Sequence, residues 1–405
     1  MHIGFLTPQY IKENQPHGGI SNYIHKTAGE LTKRGHTVSI FVLSDRDAQS
    51  RDEYAKIYES RSYKNYFGRL PYLGFLSVPM SQILSSCRLS KGVRRVHKKN
   101  PIDILQTTNH MAPGYALINN GEIPLICRSS GYNPLNRSAS GRTIGDLGEY
   151  LLEWLELRVI LDADTSFAPS HFAASAYQRF EGKTLSVIHS PMEDLSEIVP
   201  DNSFYDTHLK GRKYLLYFSA LNRLKGIDLV IPILPALLKN NPELHVVFIG
   251  HDVGLPGIPQ VYPYIQEQCS EFTEQLHYSP PLEKAILYPL ISNAEAVIMP
   301  SRVDNYPNAC LDAVVLGTPV IGSDNSSLEE MIIDEKTGFL FTNSDSQSLE
   351  KAIYRLLAKT PEERLALKAD ILRHAELLRS EDPVSQLLKL YQKSIVEFKE
   401  KAGPK

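Results

Sequence analysis

Residues 296–322 have the sequence AVIMPSRVDNYPNACLDAVVLGTPVIG, and this stretch decides the fold of the chain. An apolar strand (Ala296–Met299) leads into a polar loop, the loop into a helix, and the helix into a second strand. This order places the start of a helix beside two carboxylates, Asp304 and Asp312. A helix start offers N–H donors and a positive dipole end that suit phosphate, and a carboxylate two turns further in can accept hydrogen bonds from sugar hydroxyls. The stretch therefore predicts a site for a nucleotide sugar.

Proline and glycine indicate where this helix begins and ends. Pro307 suits the first helical position, where a missing N–H costs nothing, and Gly317 suits the position after the last turn. Asp304 and Asp312 have seven residues between them, a spacing that covers the loop and two helical turns. In the simpler alternative, Asp304 is a turn residue and Asp312 an ordinary acid on the helix surface. The strand–loop–helix–strand context favours the functional interpretation.

Short β-rich runs alternate with helical patterns along both halves of the chain. Because a crossover between parallel strands usually contains a helix, the alternation predicts two α/β domains, and 405 residues are enough for both. The polar stretch 191–212 is the predicted linker, and the end of the chain (361–401) is helix-rich. The predicted strands are His2–Thr7, Thr37–Leu43, Ile102–Thr107, Leu125–Arg128, Thr165–Ala168, Leu185–His189, Tyr214–Ala220, His245–Gly250, Ala296–Met299 and Pro319–Gly322.

The composition is that of a soluble globular protein, with 42% hydrophobic and 22% charged residues. The net charge of −3 argues neither for nor against nucleic acid, and the expected partners do not include it. Met1 leads directly into a strand-like run without a signal-peptide pattern, and no stretch approaches the roughly 18 uncharged apolar residues of a membrane span. The four cysteines are scattered and form no CxxC pair, so neither disulfides nor a structural zinc are expected. The expected location is the cytoplasm.

A second cluster of charged residues follows the predicted strand Tyr214–Ala220. Arg223 and Lys225 lie in the segment SALNRLKGIDL, at a strand-to-helix loop. Transfer from a nucleotide sugar builds negative charge on the departing diphosphate, and fixed cations stabilise that charge in the transition state. We therefore predict that Lys225 and Arg223 contact the diphosphate. The alternative is a pair of solvated loop cations.

On these residues the chain resembles the retaining GT-B glycosyltransferases of family 4. The signature of that family is two acids with seven residues between them, usually a Glu in the loop and a Glu on the following helix. Here the loop is DNYPN and the helix acid is Asp312, so the shorter acid replaces both glutamates. The similarity continues through LGTPVIGSD, the region of Glu330 and DEKTGFLF. It covers most of the second half of the chain and, more loosely, the first half.

The resemblance implies an α/β protein with the GT-B fold, in which two Rossmann-like α/β/α domains face each other across a cleft. An N-terminal domain over residues 1–195, completed by a helix over residues 385–402, would bind the acceptor. A C-terminal domain over residues 210–384 would bind the nucleotide sugar. Asp45 and Asp47 form a DxD, the metal-binding spacing of the other large glycosyltransferase fold. With the GT-B features elsewhere we interpret them as a solvated acidic turn, and we expect neither a metal nor a cofactor.

The resemblance also implies roles for individual residues. Asp304 would lie near the transferred sugar, and Asp312 would bind the ribose hydroxyls. Lys225 matches a lysine of the family, whereas Ala220 stands where the family has an arginine, so Arg223 would supply the guanidinium. The donor would be lined further by backbone groups of Asn305, Tyr306, Pro307 and Asn308 and, from the other domain, by Gly18 and Gly19.

Two features of the first half bear on the same site. Gly18 and Gly19 open a helix after the first strand, where the backbone can approach a phosphate closely; alternatively they serve only the turn. Histidines of many relatives fall by register on Thr108 and Ser130 and are absent here. His110 lies at the correct edge of the sheet to touch sugar or acceptor and is a candidate catalytic residue. A neutral histidine bonded to a loop carbonyl is the alternative.

The segment from Arg61 to Ile102 contains nine Lys or Arg and no Asp or Glu. Its part SCRLSKGVRRVHKK can form a helix with a basic face, preceded by an aromatic stretch. Such a combination can hold an anionic membrane surface, here the inner face, or a lipid-phosphate acceptor. The alternative is a solvated helix face. The aromatic residues are Tyr63, Tyr66, Phe67, Tyr72 and Phe75.

Together these patterns predict a hexosyltransferase-type enzyme (EC 2.4) that moves a sugar, with retention, from a nucleotide-diphosphate sugar to a hydroxyl acceptor. The resemblance implies front-face attack, in which a phosphate oxygen of the donor takes the acceptor proton. Two alternatives stay open: a GT-B nucleotide-sugar epimerase, and a degenerate GT-B chain that acts as a binding or partner subunit. The sequence does not determine the donor base, the sugar or the acceptor.

Overall fold

The computed structural model describes residues 1–11, 18–63, 74–143, 145, 147–195 and 198–402. The chain divides into two compact units. The first unit takes its described residues from the ranges 1–137, 142–191 and 382 onward, and the second from 138–141 and 192–381. Each unit has its own sheet.

The first unit contains an eight-stranded sheet in the order β3-β4-β2-β1-β5-β6-β7-β8, which is parallel except for the β3–β4 pair. In chain order its elements are β1 (His2–Thr7), α1 (Gly19–Lys33), β2 (Thr37–Ser44), β3 (Ala48–Arg51), β4 (Lys56–Arg61), α2 (Ser77–Lys99), β5 (Ile104–Thr108), β6 (Leu125–Arg128), α3 (Asn133–Ala139), α4 (Leu147–Asp162), β7 (Thr165–Ala168), α5 (His171–Glu181), β8 (Ser186–Val187) and, from the end of the chain, α14 (Pro383–Ala402).

The central strands of this sheet are buried along their whole length, as expected for parallel strands covered by helices on both faces. Every residue of β1 and of β5 is buried. Helix α14 joins this core, because the Tyr391 hydroxyl donates to Oε1 of Gln106 at 2.5 Å. Its start is held by an ion pair of 2.7 Å between Arg34 and Asp382. The last helix therefore completes the first unit.

The second unit contains a fully parallel six-stranded sheet in the order β11-β10-β9-β12-β13-β14. Its core includes the buried faces of these strands and of the helices around them. In chain order its elements are α6 (Ser203–His208), β9 (Lys213–Phe218), α7 (Ile227–Val230), α8 (Leu234–Asn240), β10 (Leu244–Ile249), α9 (Val261–Gln268), β11 (Leu276–Ser279), α10 (Lys284–Ser292), β12 (Ala296–Met299), α11 (Asn308–Val315), β13 (Val320–Ser323), β14 (Gly338–Phe341), α12 (Ser346–Leu357) and α13 (Pro361–Ser380).

The predicted α/β class is confirmed, and each predicted strand overlaps an observed one. Gly317 follows the last turn of α11 with φ 74°, as predicted for a cap. The prediction that Pro307 is the first helical residue was wrong by one position: Pro307 is extended, and the helix begins at Asn308. Among the helices that the structure describes, none is both long and apolar enough to cross a membrane.

Four short strands were missed: β3, β4, β11 and β14. Strand β3 (AQSR) is largely exposed and β4 (KIYESR) is mostly partly buried, and neither contains an apolar run that would mark it. Strand β11 (LHYS) also lacks such a run, and β14 has only the four residues GFLF. Short strands of this kind form because a neighbouring strand offers hydrogen bonds, which a sequence pattern does not contain.

Candidate active site

The order of strands in the second sheet reverses between β9 and β12, which are adjacent. In open α/β sheets, ligands bind beyond the carboxyl ends of the strands at such a switch point. Two loops lie there: residues 219–226 after β9, here called the Lys225 loop, and residues 300–307 after β12, here called the Asp304 loop. The Lys225 loop contains Arg223 and Lys225, and the Asp304 loop contains Asp304, the residues that the sequence predicts to bind the donor.

The two loops are joined by an ion pair between Lys225 and Asp304. Nζ of Lys225 donates to Oδ2 of Asp304 at 2.7 Å, and the lysine and aspartate side chains are 27% and 12% exposed. The other carboxylate oxygen of Asp304 accepts the N–H of Asn305 at 3.2 Å. An ammonium has three N–H donors, so Lys225 can bond phosphate oxygens while it keeps this contact. The pair therefore fixes a cation beside the start of α11.

Gly226 allows the Lys225 loop to lie directly against the Asp304 loop. Its φ is +73°, and a Cβ built on it would lie 1.9 Å from the carbonyl oxygen of Pro300, so no larger residue fits without a shift. The adjacent backbone is held by side chains: the N–H of Lys225 donates to Oδ1 of Asn222 at 2.9 Å, and the buried hydroxyl of Tyr217 donates to the Lys225 carbonyl at 3.2 Å. The position of Lys225 is therefore built into the loop backbone.

Arg302 forms a second link between the loops that sequence reasoning missed. Its guanidinium makes two hydrogen bonds to the Asp228 carboxylate, at 2.7 and 2.8 Å, and a third of 2.6 Å to the Arg223 carbonyl. Asp228 is in the first turn of α7. The side chain of Arg223 is held less closely, since it is 45% exposed and lies 4.0 Å from Asp228. The spacing of 74 residues gives no sequence signal for the Arg302–Asp228 pair.

The Asp304 loop leads into α11 through Tyr306, a residue with a left-handed backbone conformation. Tyr306 is buried with φ 81°, a conformation that bulky residues adopt only when the surroundings impose it. Its N–H donates to the Ser327 hydroxyl at 2.7 Å, and burial raises the pKa of its phenol. After extended Pro307, helix α11 starts at Asn308. The predicted donor-lining residues Asn305, Tyr306, Pro307 and Asn308 therefore form one fixed segment at a helix N-terminus.

Asp312 lies in a different environment from Asp304. The residue is only 7% exposed and lies in the second turn of α11, on the side that faces Tyr288 of α10. Burial and the charge of the neighbouring Asp312 carboxylate raise the pKa of Tyr288. The second acid of the spacing is thus a buried group beside a tyrosine, whereas the first is a partly exposed group beside a lysine.

The first unit has a switch point of its own between β1 and β5. Gly18 and Gly19 begin α1 after β1, and Gly18 has extended backbone angles. His110 follows β5, and its side chain is half exposed. The loop after β5 is anchored by Asn109, which accepts the N–H of Ser130 at 2.8 Å and donates to the Gly131 carbonyl at 2.9 Å. The predicted residues of this half therefore lie at one edge of its sheet.

Glu156 is a buried carboxylate next to His110. Its two oxygens accept the N–H of Met111 at 2.8 Å and the side-chain amide of Asn133 at 2.6 Å, and His110 Nδ1 lies 3.7 Å away. Burial raises the pKa of Glu156, partly offset by His110. The carboxylate orients the loop that carries His110. Sequence reasoning missed it because, within the helical run GEYLLEWLEL, nothing distinguishes this glutamate from its exposed neighbours.

Arg128 is a buried cation at the end of β6 that was also missed. Its guanidinium lies 3.9 Å from the centre of the Tyr23 ring and donates to the Ser190 hydroxyl at 3.0 Å. Within the described part of the chain no acidic side chain contacts it, and burial lowers its pKa. A signal for it exists, since an arginine ends the otherwise apolar strand LICR.

The basic segment 61–102 is described except for residues 64–73, so Tyr66, Phe67 and Tyr72 lie outside the described residues. The segment SCRLSKGVRRVHKK is helical within α2, as predicted. Arg88 pairs with Asp47, and Arg94 pairs with Glu122 at 3.3 Å, so acids from elsewhere in the unit offset part of the charge. Exposed cations remain at Lys91, Arg95, Lys98 and Lys99.

The DxD acids were interpreted as a solvated turn. Asp47 accepts the N–H of Arg61 at 2.9 Å in addition to its ion pair with Arg88, and these contacts lower its pKa. Among the described residues, no group of three or more His, Cys, Asp or Glu side chains is placed to hold a metal ion.

Two α/β units, one with a charged switch point beside a helix start, define the class of the GT-B glycosyltransferases. Two family models match the chain: Glycosyl transferases group 1 over residues 201–371, and Glycosyltransferase Family 4 over residues 17–194. The chain therefore belongs to glycosyltransferase family 4, whose members are retaining enzymes.

Solved structures share this fold at low sequence identity. Sucrose-phosphate synthase from Thermosynechococcus elongatus has a TM-score of 0.77 and 17% identity, with 98% of this chain and 99% of that chain covered. HepE from Anabaena, solved in complex with UDP, has a TM-score of 0.67 and 14% identity, with 97% and 100% covered.

Relatives of known name match over different lengths. The D-inositol 3-phosphate glycosyltransferase of Rhodococcus erythropolis is 24% identical over 96% of this chain and 89% of its own length. The alpha-monoglucosyldiacylglycerol synthase of Streptococcus pneumoniae is 23% identical over 89% and 79%. The D-inositol 3-phosphate glycosyltransferase of Corynebacterium urealyticum is 25% identical over 44% of this chain, and the match spans 43% of that relative's length.

Proposed function

We propose that this chain is a retaining hexosyltransferase that moves a sugar from a nucleotide-diphosphate sugar to a hydroxyl acceptor. The observation that carries the proposal is the Lys225–Asp304 pair of 2.7 Å at the switch point of the second sheet. This pair lies beside the start of α11 and inside the region that matches the family model. A fixed cation and a helix N-terminus together suit a diphosphate.

The second unit is the proposed donor-binding domain. Lys225 and Arg223 contact the diphosphate, and the backbone of residues 305–308 lines the phosphates and the sugar. Asp304, oriented by Lys225, lies near the anomeric carbon, where a carboxylate stabilises developing positive charge. Asp312 binds the ribose hydroxyls. HepE, a protein of the same fold, was solved with UDP, which makes UDP-sugars the first donors to test.

The first unit is the proposed acceptor-binding domain. Gly18 and Gly19 bring backbone N–H groups to the donor diphosphate, and His110 contacts the sugar or the acceptor. The acceptor hydroxyl attacks on the face that the diphosphate leaves, and a phosphate oxygen of the donor takes its proton. Retention follows because attack and departure occur on the same face. No protein nucleophile is required in this scheme.

We further propose a peripheral membrane contact on the cytoplasmic side through the basic end of α2. Its exposed cations Lys91, Arg95 and Lys98 lie three and four residues apart, on one face of the helix. Each such residue near an anionic surface contributes about 1 kcal/mol. One relative is named for a glycolipid product. Co-sedimentation with anionic liposomes at low salt tests this contact, and the absence of binding contradicts it.

The experiment that tests the function is a screen of UDP-, GDP- and ADP-hexoses with a set of hydroxyl acceptors, followed by NMR of the product's anomeric centre. We expect one donor to be consumed and the product to keep the donor's anomeric configuration. An inverted product contradicts the mechanism. Conversion of a nucleotide sugar to its isomer without acceptor indicates an epimerase instead, and the absence of any nucleotide binding indicates a partner subunit.

A further inference from the structure

A pocket of about 200 Å³ opens at the edge of the first unit where His110 lies. Its walls come from the loops after β5 and β6 and from helices α3, α4 and α5. This volume is below the roughly 300–1,000 Å³ of pockets that enclose drug-sized ligands. The pocket therefore has room for a single ring. The residues that line it include Tyr132, Asn133, Arg137, Tyr150, Glu153, Trp154 and Glu156.

Two aromatic side chains that line this pocket are exposed, and one of them, Trp154, has its ring centre 6.5 Å from that of Tyr115. Tyr150 and Trp154 are four residues apart on α4, so they share one helix face, and they are 52% and 42% exposed. Tyr132, which is buried, lines the pocket as well. Aromatic rings cover the apolar C–H face of a sugar or cyclitol ring, and ligand sites are commonly lined in this way. The exposed pair is a surface that a flat, partly apolar ring can bury.

The polar groups of the pocket are hydrogen-bond partners for hydroxyls. The Glu156 carboxylate, 5% exposed, lines it and is already oriented by Met111 and Asn133. The Asn133 residue of α3 and the Glu153 residue of α4 also line the pocket. Carboxylates accept from hydroxyl groups, and amides both donate and accept. Because Glu156 also lies 3.7 Å from His110, the pocket adjoins a residue of the proposed active site.

The charge of the pocket disfavours a phosphorylated ligand. Arg137 is the cation among the described residues that line it, and Glu153 forms an ion pair with it. Glu156 adds a further acidic group. A phosphate brought here would face two carboxyl groups and a guanidinium whose charge is already compensated. Burying such an anion without a free cation is costly.

We propose that this pocket binds an uncharged, hydroxyl-rich ring of the acceptor, with Tyr150 and Trp154 against its apolar face and the carboxyl groups on its hydroxyls. The assignment rests on the proposed transfer function. It places the acceptor of this chain in the class of neutral sugars and cyclitols. Acceptors phosphorylated on the ring that enters the pocket are excluded.

Trp154 makes the test direct, because it is the single tryptophan of the chain. Its fluorescence is titrated with methyl glucoside, methyl galactoside, methyl mannoside and myo-inositol, and in parallel with glucose 6-phosphate and inositol 1-phosphate. We expect a saturable change with at least one neutral probe and at least tenfold weaker binding of the phosphorylated probes. Equal or tighter binding of a phosphorylated probe overturns the proposal, and so does the absence of a response to every neutral probe.

Three variants sharpen the test. Tyr150→Ala should lower the affinity for the neutral probe about tenfold, because contact area with the ring is lost. Leu147→Ala is the control and should leave this affinity unchanged, because Leu147 is an exposed residue of the same helix outside the pocket lining. Glu153→Gln removes the carboxylate that pairs with Arg137. The ratio of the affinity for neutral probes to that for phosphorylated probes should then fall about fivefold. Equal binding by Tyr150→Ala and Leu147→Ala, or an unchanged preference in Glu153→Gln, overturns the assignment.

Failure of this proposal is distinguishable from failure of the proposed function. Hydrolysis of the nucleotide sugar without acceptor needs the donor site alone, so it is measured on the same samples. Intact hydrolysis with an unresponsive Trp154 overturns the pocket assignment only. Saturable binding of a neutral probe without turnover or binding of any nucleotide sugar contradicts the function and leaves the pocket a sugar-binding site.

Discussion

The two units have related sheets, yet the chemistry at their switch points differs. In the second unit, ion pairs of Lys225 with Asp304 and of Arg302 with Asp228 hold the Asp304 loop against the Lys225 loop and helix α7. In the first unit, the side-chain amide of Asn109 holds the loop after β5 against the backbone of Ser130 and Gly131, and the buried Glu156 carboxylate accepts the N–H of Met111 in the same loop. An ion pair thus joins the switch-point loops of the second unit, whereas in the first unit an amide and a carboxylate bond to the backbone of the loop after β5.

This difference indicates a division of labour that suits the proposed reaction. A diphosphate carries charge that grows as it leaves, and preorganised cations lower the barrier for that step. A hydroxyl acceptor carries no charge, so its site needs orientation and hydrogen bonds instead. Even Arg128, a buried cation of the first unit, faces a tyrosine ring and a serine hydroxyl rather than an acid.

The largest effect is expected for Lys225→Met, which removes the cation of the charged switch point. Catalytic efficiency for transfer should fall about 10²–10³-fold, as for the loss of one preorganised donor to a developing anion. The matched control is Lys284→Met, because Lys284 also forms an ion pair in this unit, with Glu193 at 2.6 Å. Product formation is measured with both variants. Equal activity of the two would refute the role of Lys225.

A smaller effect, on stability, is expected for Gly226→Ala. The new Cβ would meet the Pro300 carbonyl oxygen at 1.9 Å, so the two charged loops must separate. Gly211→Ala is the control: its φ is +76° and its surroundings are open, so it experiences only the left-handed strain. In urea titrations, we expect a loss of about 1 kcal/mol for Gly211→Ala and about 2–4 kcal/mol for Gly226→Ala. Similar losses for both would mean that the contact with Pro300 is not tight.

The smallest effects separate the two acids of the seven-residue spacing. Asp312 is buried beside Tyr288, so Asp312→Glu should overpack the site and lower the free energy of unfolding by about 1–3 kcal/mol. Asp304→Glu should cost about 1 kcal/mol or less, because the ion pair with Lys225 is partly exposed to solvent. The free energy of unfolding of both variants is measured by urea titration. A larger loss in the free energy of unfolding for Asp304→Glu than for Asp312→Glu would contradict the account that Asp312 is the more tightly packed acid.

Much of the fold was predictable because it follows from local patterns. Buried strands such as β1 and β12 are apolar runs, and the alternation with helices leads to parallel sheets. Gly317 marks the end of α11 for a steric reason that the residue type reveals. The helix start was misplaced by one residue because the left-handed Tyr306 is imposed by tertiary contacts, including Ser327, and not by its own preference.

For the candidate site, the sequence predicted individual residues but not the contacts between residues that are distant in the chain. Lys225 and Asp304 were each selected as loop residues at strand ends, and the topology explains why they meet. The Arg302–Asp228 pair, the Glu156 contacts and the Asp312–Tyr288 contact join distant parts of the chain, so no local spacing predicts them. The sequence shows that both acids are aspartates where the family usually has glutamates. Only the structure shows that Asp304 is partly exposed and that Asp312 is buried.

The central claim is that the charged switch point of the second unit holds the nucleotide diphosphate. Calorimetric titration of UDP, GDP and ADP into the unaltered chain, Lys225→Ala and Lys284→Ala tests it most directly. We predict that one nucleotide binds the unaltered chain and Lys284→Ala equally, and Lys225→Ala about tenfold or more weakly, a loss of about 1.4 kcal/mol. Equal binding by Lys225→Ala, or no binding of any of the three nucleotides, would contradict the account.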